Sequence, residues 1–140
     1  RFIVLQGTAL TRLAELVQIR GQTLEIDPDK IIKGRAQFDD AHLVVAVVSS
    51  PQVSDKIPMI EQTYSAGAVC LSLLNGALAS GWGANWLTGW ASHDAEFRAT
   101  GLGLAPQELI AGFIHIGSES SPPPDRPRPD IAAKTVWISA

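Results

Sequence analysis

Residues 59–89 read MIEQTYSAGAVCLSLLNGALASGWGANWLTG, and no Asp, Glu, Lys or Arg occurs between Glu61 and Asp94. Pro58 precedes the run and Gly81 interrupts it, which bounds a helix from Pro58 or Met59 to Ser80. A helix apolar around most of its circumference must be buried on most faces. A chain of 140 residues offers few places to bury such a helix, so a partner subunit is expected. Ser65, Ala66, Gly67, Ala68, Ser72, Gly76, Ala77, Ala79 and Ser80 are small enough to let a second backbone approach. The stretch is no transmembrane span, because Ser65–Gly81 falls short of about 20 mostly apolar residues.

Outward from this helix the chain is ordinary globular protein. It is 46% apolar and 18% charged, a balance that suits one domain with one core over residues 1–140. The net charge of −3 provides no basic field, so nucleic acid is not an expected partner. Cys70 is the lone cysteine, which excludes a disulfide framework and a cysteine zinc site. His42, His93 and His115 stand far apart, so no metal site is expected. His115, mid-strand among apolar neighbours, is expected to be a hydrogen-bonded structural imidazole, and His42 a surface residue.

Leu43–Val48 is a continuous apolar run and reads as a central strand covered on both faces. Phe2–Leu5 reads as a buried strand, and Leu109–Gly117 as another strand. Thr8–Arg20 carries Leu10, Leu13, Leu16 and Val17 at helical spacing, with Gly21 as its stop. Ile26–Phe38 has weak periodicity. Pro28 is expected to open only a short helix through Arg35, in a mobile or variable region. Trp82–Thr88 reads as extended, and Asp94–Thr100 as a short helix capped by Ser92 or Asp94. The prolines of Ser118–Pro129 forbid helix and central strand, so 118–140 reads as an extended arm. Its strand-compatible end, Lys134–Ser139, suits docking on another subunit's sheet edge. The fold class is α+β.

No side-chain constellation for hydrolysis is present. There is no Gly-x-Ser-x-Gly elbow, no phosphate-binding Gly-x-x-x-x-Gly-Lys and no Rossmann glycine turn after a strand. No catalytic side chain is therefore assigned. Trp82, Trp86 and Trp90 crowd the end of the apolar stretch, either as core plugs or as a platform for a flat ligand. A redox cofactor would supply the chemistry these side chains lack.

The order of pieces resembles the flavin-dependent nitroreductase family, especially its compact bacterial branch. The pieces are Arg1–Gly7, Leu43–Val48, Lys56-Ile57-Pro58 with Glu61-Gln62 and Ser65-Ala66-Gly67, then Gly81–Gly89 and Gly112–Gly117. The resemblance implies a mixed, largely antiparallel sheet flanked by helices, and a cytoplasmic homodimer. Its long central helix would form the interface and its C-terminal arm would embrace the partner. It implies FMN in a cleft at that interface, with NAD(P)H as co-substrate. Trp86, Leu87 and Thr88 would lie along the flavin, and the amide of Thr88 or Gly89 would face N5 and O4. Family members commonly carry Arg where this chain has Leu87, a departure that weakens a phosphate or ring contact at this cofactor-binding candidate. Arg126 and Arg128 are candidate phosphate partners. The family's other flavin contacts lie upstream of the opening strand, and a segment before Arg1 is expected to carry them. The implied reaction is ping-pong hydride transfer from NAD(P)H to a nitroaromatic, quinone or similar acceptor. The alternative is a flavin-binding or dimerising protein without reductase turnover.

Overall fold

The computed structural model describes residues 1–139. Its frame is a four-stranded sheet in the order β1-β2-β4-β3, formed by Phe2–Gln6, Leu43–Ser49, Leu109–Gly117 and Gly83–Leu87 as β1, β2, β4 and β3. Every pairing among the described residues is antiparallel. The two most apolar runs, β2 and β4, take the centre, where both faces are covered. β1 forms an edge instead of the buried strand expected, with Phe2 57% and Val4 62% exposed. The register shifts between Val47 and Val48, leaving Ala111 of β4 without a cross-strand partner.

Alternation along the strands sorts the core into two faces. On one face, Leu5, Val44, Ala46, Val48, Ile110 and Phe113 meet α1 (Thr8–Thr23), α2 (Pro28–Asp39) and α4 (Trp90–His93). Leu10, Leu13, Ala14 and Val17 supply the buried stripe of α1, and Phe38 stands edge-on to Phe113 with ring centroids 5.4 Å apart. Gly21 does not stop α1. It lies inside the helix as a notch, since a methyl group there would come within 2.6 Å of Ile31 Cγ1. The tight crossing of α1 and α2 thus depends on the missing side chain.

α2 is longer than expected because its start is well capped. Asp27 Oδ1 accepts from the amides of Asp29 and Lys30 at 3.0 and 3.4 Å, and Pro28 fills the first helical position. The expected short helix at Asp94–Thr100 is present over residues 95–102, π-helical at Phe97–Gly101, with Asp94 as its cap and α4 just before it. Asp94 joins the two: its carboxylate accepts from the Phe97 amide at 2.9 Å and pairs with Arg20 at 2.7 and 3.1 Å. The Arg20 guanidinium holds the Asp94 carboxyl below the usual carboxylate range.

On the opposite face lies α3 (Met59–Ala79), resting on Val47 and Ile114 through Cys70. Among its 21 residues only Cys70 and Ala77 are buried. Tyr64, Leu71 and Leu78 are at least half exposed, as are Met59 and Ile60. Beyond β4 the chain runs as an exposed arm to a four-residue helix, α5 (Ile131–Lys134). Residues 135–139 pair with no strand of their own chain among the described residues, and Val136, Trp137 and Ile138 are almost fully exposed. In all, 9632 Å² is exposed, against about 7,000 Å² for a compact monomer of this mass. No helix among the described residues is long and apolar enough to cross a membrane.

Candidate functional site

β3 ends at Leu87, and the chain passes through Thr88 and Gly89 into α4. This turn faces α2 across a cavity of about 230 Å³. Phe38 and Phe113 line its apolar part, Thr88–Ser92 one wall, and Lys30, Lys33, Gly34 and Gln37 the other. No acidic residue is among the lining. The Gly89 amide is already used, donating to Ser92 Oγ at 3.2 Å. The Thr88 amide, one residue past the ladder, donates to no other backbone group among the described residues. Of the two amides in the turn, Thr88 has the free donor.

The sequence-derived candidates separate in space. Thr88 and Gly89 line the cavity together with α2. Leu87 pairs with Phe113 and takes its side of the sheet, whereas Trp86 pairs with Ile114 and takes the α3 side. There the Trp86 indole lies across Gly112, occupying the place a Cβ would need, and donates to the carbonyl of the bulged Ala111 at 3.2 Å. Trp82, at the end of α3, is 53% exposed. Only Trp90 of the three clustered tryptophans reaches the cavity. Arg126 and Arg128 are exposed on the arm and do not line this cavity.

Lys30, Lys33 and Gln37 were not singled out by the sequence, although their spacing, after the Asp27-Pro28 start signal, places them on one helical face. A second cleft, of about 290 Å³, opens between β1, β2 and the first turns of α3. Gln62 holds its rim by accepting from the Gln52 amide at 2.8 Å and donating to the carbonyls of Gln52 and Ile57. Nearby, Arg1 grips Glu108 with two contacts of 2.7 Å, which draws the Glu108 carboxyl down to about 2. His115 is not the satisfied imidazole expected. Its Nε2 is buried without a hydrogen-bond partner, and burial pushes its pKa down to about 4. No cluster of three or more metal-ligating side chains occurs among the described residues.

No protein-family model matches the chain. A protein of Escherichia coli K12 named "Putative NAD(P)H nitroreductase YdjA" is 27% identical over 117 residues, covering 84% of this chain and 63% of the relative. A Haemophilus influenzae protein named "Putative NAD(P)H nitroreductase" is 28% identical over 120 residues, covering 84% and 64%. This chain thus spans less than two thirds of either relative's length. The crystal structure of a nitroreductase-like family protein from Bacillus cereus superposes with a TM-score of 0.76 at 20% identity, covering 100% of this chain and 73% of that one. The fold is nitroreductase-like. A BluB-like flavoprotein from Clostridium difficile 630 shares it, with a TM-score of 0.70 at 14% identity over 99% of this chain and 79% of that one. The Thr88–Gly89 turn is the stretch that the sequence resemblance expects beside a flavin ring. The lining suits such a ring: an apolar floor, one free amide, and ammonium groups at the rim.

Proposed function

We propose that the chain forms an FMN-dependent NAD(P)H oxidoreductase that reduces nitroaromatic, quinone or similar acceptors. The observation that carries this reading is the cavity at the free Thr88 amide, with Lys30, Lys33 and Gln37 opposite, in a nitroreductase-like fold. Bound flavin would supply hydride acceptance and donation, in a ping-pong cycle. The chain's own part is to bind and place it. The Thr88 N–H would hold negative charge at the ring edge, and the lysines would add to that field without any acid–base pair being needed. Phe113, Phe38 and Trp90 would exclude water from one side of the ring. At about 230 Å³ the cavity accepts one ring edge, since whole-cofactor sites begin near 300 Å³.

The remainder of the site is proposed to come from a second copy. The exposed apolar residues of α3, and the surplus of roughly 2,600 Å² over a compact monomer, fall in the range an obligate homodimer buries. In that dimer the arm would carry Arg126 and Arg128 to the partner, where a guanidinium can chelate a phosphate. Protein purified without detergent is expected to be a yellow dimer that bleaches when NADPH or NADH is added anaerobically and regains colour with a nitroaromatic or quinone. Protein that stays colourless and takes up neither added FMN nor FAD overturns the reading. Flavin that is held but never reduced leaves binding without reductase turnover.

A further inference from the structure

Trp90 stands next to Gly89, at the start of α4, yet its ring belongs to α2. Its Nε1 donates to the Lys30 carbonyl at 3.4 Å. One turn later on α2, Gly34 makes room for the same ring: a Cβ at Gly34 would lie 3.3 Å from Trp90 Nε1 and 3.3 Å from Val17 Cγ1. α2 is thus fastened along its underside at three places: Ile31 in the Gly21 notch, Phe38 against Phe113, and Trp90 under Lys30 and Gly34. Among these fasteners Trp90 alone extends from the turn that carries the free Thr88 amide. It therefore ties one wall of the cavity to the other through one rigid side chain.

We propose that Trp90 is the positioning residue that sets the gap between α2 and Thr88, and so restricts the cavity to the edge of one flat, acceptor-rimmed aromatic ring. The inference rests on the flavin reading for its ligand, and on the ligand-free chain for its geometry. With the indole in place, Lys33 and Gln37 stay opposite the turn. Without it, α2 keeps the contacts at Ile31 and Phe38 and loses those at Lys30 and Gly34, and the wall between Lys30 and Gln37 is free to shift.

The test uses Trp90→Ala, Trp90→Phe and Gly34→Ala, with two probes: FMN, and lumiflavin as the ring without its phosphate. Trp90→Ala is expected to weaken both probes by the same factor, about tenfold or more, since a large cavity replaces a wall. Trp90→Phe fills most of the space but lacks the Nε1 donor, and Gly34→Ala crowds the indole; each should weaken both probes by about threefold. In the ligand-free protein, amide exchange in Trp90→Ala should quicken over residues 30–37 while α1 and β2 keep their protection. Affinities within twofold of the unaltered protein in all three variants overturn the proposal. So does exchange that quickens equally across α1, β2 and α2, which marks a merely structural tryptophan. If the unaltered protein binds neither probe, the flavin reading fails, and the exchange pattern alone still decides whether Trp90 fastens α2.

Discussion

The two faces of the sheet are built to different standards of completion. On the α1–α2 face, Phe38, Phe97 and Phe113 are each at most 1% exposed, and notches such as Gly21 let the helices close on one another. On the α3 face a 21-residue helix buries two residues and leaves Tyr64, Leu71 and Leu78 in solvent. The same sheet, with β2 and β4 largely apolar on both sides, supports both. The difference therefore lies in what covers each face. The first is finished within the chain, while the second has the composition of an interior without the burial of one. Truncation separates the two most sharply. Phe97→Ala should cost about 3–5 kcal/mol in denaturant unfolding, as expected for a buried aromatic. Leu71→Ala should cost under about 0.5 kcal/mol in a monomer and far more, with concentration dependence, in a dimer. Equal costs at the two positions would erase the distinction between the faces.

A smaller effect probes where the α3 face is closed. Gly112 provides the space that the Trp86 indole fills, and the bulge at Ala111 frees the carbonyl that accepts from it. Gly112→Ala should expel the ring at a cost of about 1–3 kcal/mol, with a shift in tryptophan fluorescence as the indole meets water. Unchanged fluorescence and stability would mean that the ring is not packed there in solution.

These features were unequally legible in the sequence. α3 is bracketed by Pro58 and Gly81, and β2 and β4 are predominantly apolar runs, so pattern alone located them. α2 was underestimated because its buried face consists of Ile31 and Phe38, seven residues apart, while Ile32 between them is exposed. Its cap, Asp27-Pro28, was the better signal. Thr88 and Gly89 were reached through the family resemblance. That Trp86 and Trp90 part company depends on strand phase at Leu87 and on the bulge at Ala111, which no composition or spacing encodes. The tail from Lys134 has strand chemistry but no neighbour to pair with in its own chain. A strand is defined by its partner as much as by its residues.

Acid should weaken the finished face first. His115 titrates near 4 in the folded chain against 6.5 unfolded. Between those values the unfolded chain binds the proton more readily, so stability falls as pH drops from 6.5 towards 4, by about 1–3 kcal/mol. Glu108, lowered from 4.5 to about 2 by Arg1, adds its own loss only between those lower values. His115→Phe should flatten the first window and leave the second. A variant with the same slope across 6.5 to 4 would show that the imidazole is not desolvated.

The gentlest substitution asks the sharpest question of the open face. A Cβ at Gly76 would meet nothing within 4 Å, and the residue is exposed near the end of α3. In an isolated chain Gly76→Leu should raise stability by up to about 1 kcal/mol, because leucine favours the helix that glycine resists. In a dimer seamed along the small residues of α3, the same leucine overpacks the contact and should drive the protein to monomer. The two expectations have opposite signs, so sedimentation and thermal unfolding of this one variant read them together. A more stable protein of unchanged mass would make the small residues of α3 a plain surface. A monomer with an intact finished face would make them the seam.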